Sequence, residues 1–402
     1  MTPPQRTDPS PGSNASLRAA NQHRVLDVLR GVPTGRAADD FRDGEADPDT
    51  EGVFTQAELA RVTGLAPATV SNIVRELAGA GLVDTEAGSG RRGSSVQLAR
   101  GAGIVAGVDF GHSHVAVAVG DLAGRVLAEE RVALQPPTDH HEALETAAAM
   151  LTRMSQGMGA LRHVGLGLPA PVKEEVIRSS AIFPGWEGVN ARAAAEKTFG
   201  APVRVENDAN LGALAEHRRG VARGLSSSVF VKISSGVGAG IIIGNELFHG
   251  AGGTAGEIGH LTLDEQGPLC RCGSRGCLEA YTSTANLLVM LSGQLPGADL
   301  DDVFAAARAG NVSAQRGLED AGLHLGWGLA SIVNLLNPEV VVVGGDMARA
   351  GELLLESARI GLRRHALDSV ALTPVLASEL GERASLVGAV LLAAERTDLV
   401  VE

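Results

Sequence analysis

The chain is poor in aromatic residues, in cysteine and in long apolar runs. Aromatic side chains make up 3% of its 402 residues, so its cores must be largely aliphatic. No run of about 18 apolar residues occurs, which excludes a transmembrane helix, and the polar, proline-rich N-terminus lacks the hydrophobic segment of a signal peptide. We therefore expect a cytoplasmic protein without membrane contact, in which residues 1–16 form a disordered tail.

An overall excess of basic residues is also missing. The formal net charge is -13, which argues against a protein that coats nucleic acid with its whole surface. The acidic residues are unevenly placed, however, because seven of them lie in residues 38–52. Outside this acidic insert, which we interpret as a solvated loop, residues 1–100 carry ten arginines and six acidic side chains. The N-terminal region is therefore locally basic.

Residues 17–100 have the pattern of a winged helix-turn-helix. Apolar residues of the segment 17–30 fall on one helical face. Thr55 and Glu58 have the spacing of a capping box, which predicts the start of a second helix. A short turn with Gly64 follows, and Pro67 then opens a third helix. Two helices joined by such a turn are typical of helix-turn-helix DNA-binding domains.

The third helix and the loop after it carry the candidate DNA contacts. The helix is predicted to bury one apolar face and to expose small polar residues and one arginine near its N-terminus. Two short strands follow, and the loop between them carries paired arginines that can enter a minor groove or bind phosphates. The candidate contacts are Thr69, Ser71, Asn72, Arg75, Arg91 and Arg92. The alternative is an ordinary three-helix packing module without a DNA partner.

From residue 101 the pattern changes to strands that alternate with helices. Apolar strands are predicted at 104–110, 115–119, 125–132 and 164–168, and a second set at 229–233, 240–243 and 340–343. This alternation predicts an α/β domain. The glycine-rich turn 234–240 can present backbone N–H groups to a phosphate, although most such turns are only structural.

All three cysteines lie within eight residues, which is unlike a disulfide scaffold. One histidine precedes them closely, so the candidate ligands are His260, Cys270, Cys272 and Cys277. Three thiolates and one imidazole complete the tetrahedral shell that zinc prefers, and four protein ligands leave no open position. The spacing predicts one structural zinc ion per chain.

Polar residues surround this cluster and also end a predicted strand at 203–205. Glu257 and Glu279 flank the metal ligands, and Asn207 and Asp208 follow the strand. Carboxylates and carboxamides at such positions can hydrogen-bond the neighbouring hydroxyls of a polyol. An aspartate there can also act as a general base towards a hydroxyl.

Several of these motifs together resemble one family. The segment GEIGHLTLDEQGPLCRCGSRGCLEAYTS at 256–283, with FPGW at 183–186, VENDAN at 205–210 and NLLNPEVVVVGG at 334–345, resembles the ROK family (repressor, open reading frame, kinase). The resemblance extends from about residue 17 to the end and points to the branch of transcriptional regulators.

This resemblance implies a two-lobed actin-like, sugar-kinase-type α/β fold behind the winged helix. Lobe 1 would comprise residues 101–208 and about 388–402, and lobe 2, with the zinc loop, residues 209–387. It also implies a homodimer or homotetramer that places paired heads on a palindromic operator.

The resemblance further implies a ligand set and a function. Asn207, Asp208, Glu257, His260 and Glu279 would bind a sugar, and Asp208 matches the catalytic base of the kinase branch. The implied function is a sugar-responsive regulator, most often a repressor, of carbohydrate uptake or catabolism genes, with a sugar or sugar phosphate as effector.

One departure separates the regulator from a kinase. Family kinases have Asp-x-Gly-Gly-Thr-Lys in the first phosphate loop, whereas this chain has His112 and His114 in place of the second glycine and the lysine. In the second loop Ser234 and Ser235 replace a glycine and a threonine. We therefore predict no efficient use of ATP. The alternatives are a sugar kinase that carries a DNA-binding domain, and a regulator that answers to a partner protein; the five retained polar positions argue against the latter.

Overall fold

The computed structural model describes residues 14–31, 52–86, 94–134, 139–171, 177, 184–397 and 399. Arg91, Arg92 and Phe183, the acidic insert up to residue 51 and the first 13 residues of the predicted tail lie outside these ranges. Within them, no helix combines the length and the apolar character needed to cross a membrane.

The N-terminal head is a winged helix-turn-helix, as predicted. Its elements are α1 (Asn14–Leu29), β1 (Phe54–Thr55), α2 (Gln56–Thr63), α3 (Pro67–Gly79), β2 (Val83–Glu86) and β3 (Ser95–Leu98). The strands form an antiparallel sheet in the order β1-β3-β2. The predicted capping box opens α2, since Thr55 Oγ1 accepts from the backbone N–H of Glu58 and the Glu58 carboxylate accepts from that of Thr55. The two-residue strand β1 was not predicted because so short a segment has no period of its own.

The first lobe contains a five-stranded mixed sheet. Its elements are β4 (Ile104–Phe110), β5 (His114–Gly120), β6 (Val126–Ala133), α4 (His140–Met154), β7 (Leu161–Leu168), α5 (Ala191–Phe199) and β8 (Val203–Asn207). The strand order is β6-β5-β4-β7-β8, in which β7 and β8 run parallel to β4. Helices α4 and α5 share a mainly aliphatic core with one face of this sheet, to which Phe110 and Trp186 also belong.

The second lobe repeats the same sheet arrangement. After α6 (Asp208–Arg219) its elements are β9 (Ser227–Ile233), β10 (Val237–Ile243), β11 (Glu246–Leu247), α7 (Glu279–Thr282), α8 (Thr284–Leu291), α9 (Leu300–Arg308), α10 (Val312–Leu336), β12 (Val340–Gly344), α11 (Glu352–His365) and β13 (Val375–Ala377). The chain then returns to the sheet of the first lobe with α12 (Ala384–Arg396). The strand order is β11-β10-β9-β12-β13, with β12 and β13 parallel to β9. The predicted pair of α/β lobes is confirmed.

Helices α6 and α12 lie between the two sheets. Helix α12 packs on β4 and β7, α6 packs on β9 and β10, and the two helices pack on each other. The approach is close, because a Cβ atom at Gly165 would lie 2.0 Å from the carbonyl of Ala389, and one at Gly388 would lie 2.0 Å from that of Leu211. This packing places the N-termini of both helices at the cleft between the lobes, where Ser385 Oγ donates to the carbonyl of Asp208 over 2.9 Å.

Candidate functional site

A cleft of about 410 Å³ lies between the lobes. All five residues predicted as sugar ligands line it: Asn207, Asp208, Glu257, His260 and Glu279. They come from three separate parts of the chain, the β8–α6 junction, the 3₁₀ turn at Ile258–His260 and the start of α7. The fold therefore assembles the whole predicted set in one place.

The β8–α6 junction holds Asn207 and Asp208 in fixed positions. Asn207 is the N-cap of α6, and its Oδ1 accepts from the backbone N–H groups of Ala209 and Asn210 at 2.9 and 3.2 Å. Its Nδ2 donates to the carbonyl of Ala170 over 3.3 Å. Asp208 follows as the first helical residue, where the positive end of the helix dipole favours a carboxylate.

Asp208 is ion-paired with a lysine that sequence reasoning missed. Lys232 Nζ donates to Asp208 Oδ2 over 2.8 Å and to Ser385 Oγ over 3.1 Å. Burial disfavours the charged ammonium, but the carboxylates of Asp208 and Asp109 outweigh it and raise the pKa of Lys232. Lys232 therefore stays protonated and joins lobe 2 to both interlobe helices. A lysine as the one charged residue of strand β9, near its end, was the available signal.

Glu279 is held by three contacts in the opposite wall of the cleft. Its Oε2 accepts from the backbone N–H of Val237 at 3.0 Å and from Arg271 Nη2 at 2.5 Å. Its Oε1 lies 3.8 Å from Cys270 Sγ. Arg271 was also missed by sequence reasoning, since nothing in its position between two cysteines indicates the direction of its side chain.

Glu257 differs from the other carboxylates of the cleft. Its side chain accepts no hydrogen bond and forms no ion pair within the described ranges. Burial, together with the Asp208 and Glu279 carboxylates, raises the pKa of Glu257 despite the opposing effect of His260. Glu257 thus presents a free carboxyl group to whatever occupies the cleft.

The four predicted metal ligands converge beside this cleft. The ligand atoms of His260, Cys270, Cys272 and Cys277 all lie within 4.8 Å of one another. Cys272 Sγ and Cys277 Sγ are 3.7 Å apart, and Cys270 Sγ lies 3.8 Å from His260 Nδ1. A tetrahedral zinc ion with Zn–S bonds of about 2.3 Å requires S···S separations of about 3.8 Å, so the donor set fits this ion. His260 and Cys272 also line the cleft, which makes the cluster part of its wall.

A second cavity of about 240 Å³ adjoins the cleft at Asp208 and Lys232. Residues 111–114, which correspond to the first phosphate loop, line this cavity. The ring of His114 packs so closely on Gly111 that a Cβ atom at residue 111 would lie 2.1 Å from His114 Cε1. Arg131 Nη2 is 3.2 Å from His114 Nδ1. Asp109 lies buried beside them, and its Oδ1 has no hydrogen-bond partner among the described residues. The imidazole of His114 thus covers Gly111 in this loop.

In the DNA-binding head, α3 buries its apolar face and exposes its polar face. Val70, Ile73, Val74 and Leu77 are buried. Thr69 and Ser71 are half-buried, whereas Asn72 and Arg75 are exposed, with Arg75 Nη1 donating to Asn72 Oδ1 over 2.9 Å. The four side chains therefore share one solvent-facing surface.

The head is continuous with lobe 1. One hydrophobic cluster contains Val25, Leu26 and Leu29 of α1 together with Val390 and Ala393 of α12. Arg30, at the end of α1, is buried, and its Nη2 donates to the carbonyl of Thr397 over 2.7 Å. Helix α12 therefore begins beside Asp208 and Lys232, two residues that line the cleft, and ends at the DNA-binding head.

Comparison with known proteins supports this description. The ROK family model matches residues 105–396, and a MarR family model matches residues 46–93. The xylose repressor of Bacillus spizizenii is 29% identical over 76% of this chain and 82% of its own length. The DNA-binding transcriptional dual regulator NagC of Escherichia coli is 31% identical over 84% of this chain and 88% of its own.

Solved structures agree. A ROK family glucokinase from Streptomyces griseus, solved with glucose and AMPPNP, is 32% identical, with a TM-score of 0.65 over 72% of this chain and 99% of its own. A ROK family transcriptional regulator described as a homologue of the E. coli MLC protein has a TM-score of 0.77 at 23% identity over 95% of this chain and 96% of its own, a likeness of fold. The chain therefore belongs to the ROK family, in the branch of transcriptional regulators with an N-terminal winged helix-turn-helix.

Proposed function

We propose that this protein is a cytoplasmic transcriptional repressor of carbohydrate uptake or catabolism genes, and that a sugar in the interlobe cleft controls its binding to DNA. The observation that carries the proposal is the placement of α12. Its residue Ser385 contacts Lys232 and Asp208 in the cleft, and its other end contacts the head through Thr397 and Arg30. One buried helix thus connects the place where a sugar would bind to the place where DNA would bind.

The cleft supplies what a polyol requires. Asp208, Glu257 and Glu279 offer carboxylate acceptors, and Asn207 and His260 add further polar groups to the lining. We propose that these five residues bind the sugar. A change in the distance between the lobes would move Lys232 relative to Ser385, and helix α12 would transmit that movement to α1. A ligand can shift the equilibrium only by its unequal affinity for the two arrangements.

On the DNA side, we propose that Thr69, Ser71, Asn72 and Arg75 enter the major groove, with Arg91 and Arg92 of the wing on adjacent phosphates or in the minor groove. The exposed polar face of α3 supports the first part of this proposal. A homodimer or homotetramer would place two heads on a palindromic operator.

We further propose that the cluster of His260 and the three cysteines binds one structural zinc ion. When bound, zinc would cross-link the loop that carries Arg271 to the 3₁₀ turn that carries Glu257 and His260. The loop residues would then keep the wall of the cleft in place for the sugar.

The alternative function, an ATP-dependent sugar kinase with a DNA-binding head, is less well supported. The likeness to the S. griseus glucokinase and the presence of Asp208 favour it. Against it, the ring of His114 covers Gly111 in the first phosphate loop. We therefore propose that turnover with ATP stays at background.

Two measurements test the proposal. Fragmented genomic DNA of the host is incubated with the purified protein, and the retained DNA is sequenced; the expected result is a palindromic site beside sugar-utilisation genes. Fluorescence anisotropy on that site, with and without a panel of sugars, then measures release. Retention without sequence preference, together with ATP-dependent phosphorylation of a sugar that Asp208→Asn abolishes, would instead establish the kinase.

A further inference from the structure

Glu206 lies within the VENDAN motif but has no part in the predicted sugar site. It is near the end of strand β8 and is only 7% exposed. Its Oε1 accepts from the backbone N–H of Asn207 and from Asn210 Nδ2, both at 2.9 Å. The Glu206 carboxylate therefore holds the β8–α6 turn, from which Asn207 and Asp208 reach the cleft.

The other oxygen of Glu206 contacts a histidine of the second lobe. His249 Nε2 lies 2.8 Å from Glu206 Oε2. Burial opposes ionisation of Glu206, but the hydrogen bonds that its carboxylate accepts, first of all the one from His249, outweigh burial and lower the pKa of Glu206. An ionised carboxylate can only accept hydrogen bonds, so His249 Nε2 must carry the proton of this one.

His249 begins a closed loop that leads into the cleft. The loop 248–257 follows strand β11 and ends with the cleft residue Glu257. The backbone N–H of Ala255 donates to the carbonyl of His249 over 3.1 Å, which closes the loop on itself. The carbonyl of Gly256 accepts from a backbone N–H of β10 over 2.8 Å, which fixes its far end on the sheet. A movement of His249 is therefore passed on to Glu257 by a short, hydrogen-bonded stretch of backbone.

The contact between His249 and Glu206 depends on the charge of the imidazole. The His249 side chain is 40% exposed, so protons reach it from the solvent. The Glu206 carboxylate raises the pKa of His249, against the effects of burial, of Arg204 on β8 and of Arg396 at the end of α12. A neutral imidazole still donates through Nε2, whereas a protonated one forms a stronger, charge-assisted hydrogen bond. The contact is therefore strongest below the raised pKa of His249 and weakens as the pH rises through it.

We propose that His249 is a positioning residue of the sugar site, which fixes the loop 248–257 against the β8–α6 turn, and that its protonation favours sugar binding. This inference rests on the proposed function of the cleft and adds to it a regulation by pH. His249 is not one of the residues that line the cleft, so it acts through the two segments that it joins rather than by contact with the sugar. By linkage, a bound sugar also favours the protonated form of His249.

Isothermal titration calorimetry of the full-length protein at pH 6.0 and pH 8.0 tests the inference, with D-xylose, D-glucose and N-acetyl-D-glucosamine as probes. In His249→Gln the amide nitrogen can still donate to Glu206 but cannot become charged. The ratio of the sugar dissociation constant at pH 8.0 to that at pH 6.0 should be about fivefold larger in the wild type than in this variant. Other titrating groups affect both proteins alike, so the difference belongs to His249. His141→Gln, at an exposed position of α4, is the matched control and should keep the wild-type ratio.

Glu206→Gln removes the charge on the other side of the contact and should reduce the ratio as His249→Gln does. Thermal unfolding at both pH values shows which variants fold, and either variant alone suffices for the comparison. A wild-type ratio in a folded His249→Gln or Glu206→Gln variant would overturn the inference and leave the proposed sugar response intact. Absence of heat with all three sugars, together with DNA release by none of them, would overturn the proposed function itself and the inference with it.

Discussion

Replacement of Lys232 by methionine should destabilise the protein strongly at neutral pH. Methionine keeps an unbranched side chain of similar length but removes the ammonium group that pairs with Asp208 over 2.8 Å and lies near the buried Asp109. Removal of one partner of a buried ion pair typically costs about 3–5 kcal/mol, because the remaining charge is left uncompensated. Side-chain exposures of 18% for Lys232 and 13% for Asp208 place the expected loss near the lower limit, at about 3 kcal/mol.

The pH dependence of this loss identifies its cause. Burial and the Asp109 carboxylate already raise the pKa of Asp208, and loss of Lys232 removes a group that lowers it. A carboxyl group whose pKa is higher in the folded than in the unfolded chain destabilises the fold at pH values above its folded-state pKa. This destabilisation disappears as the pH falls below the pKa of the group in the unfolded chain. The Lys232→Met variant should therefore approach the wild type in acid.

Urea denaturation of the wild type, Lys232→Met, Asp208→Asn and the double variant, at pH 7.5 and 5.5, measures these differences. The double variant should recover the part of the loss that comes from Asp208, whereas the buried Asp109 carboxylate still lacks the ammonium group. Lys197→Met, at an exposed site of α5, serves as the control for loss of a lysine. If Lys232→Met lies within about 1 kcal/mol of the wild type at both pH values, the ion pair does not support the cleft as reasoned here.

Three further results are expected. Cys272→Ser should reduce the metal content, measured by mass spectrometry, from about one zinc per chain, and it should also abolish sugar-induced release of DNA. Ser274→Ala is the control. A zinc-free protein that still releases DNA in response to sugar would disprove the coupling. Arg75→Ala should weaken operator binding by about 1–3 kcal/mol in anisotropy titrations. Its thermal stability should be nearly unchanged, because the Arg75 side chain is exposed. An unaltered affinity and sequence preference would show that Arg75 does not belong to the DNA interface. Burial and Arg218 lower the pKa of His217 to about 4 in the folded protein. As the pH falls, this histidine is therefore protonated in the unfolded chain before it is protonated in the folded one. A free energy of unfolding on the order of 3 kcal/mol should be lost between about pH 6.5 and pH 4. His217→Asn should flatten that part of the stability profile, and an unchanged profile would assign the loss to other groups.

Features whose parts lie close together in the chain could be predicted from the sequence. The capping box at Thr55 and Glu58, the proline start of α3 and its buried face depend on spacings of three or four residues. The apolar runs that became β4, β9 and β12 mark strands because they are buried on both faces. The metal cluster is likewise local, since a short loop can bring three cysteines and one histidine together. The positions of the polar residues beside the metal ligands and after a strand drew attention to them, but their assignment as one sugar-binding set came from the family resemblance.

Other features depended on the tertiary structure, because they join residues that no local pattern relates. Lys232, Asp208 and Ser385 meet only because the N-termini of α6 and α12 converge on the end of β9. In the sequence the lysine is merely the one charged residue of a strand. The pairing of Arg271 with Glu279 depends on the path of the loop between them. The contact of Arg30 with Thr397 spans almost the whole chain. Spacing along the chain determined which metal-binding and polar side chains this protein has. Long-range packing decided which of these side chains are already paired and which carboxylate is left free. It also decided that one helix joins the cleft to the DNA-binding head.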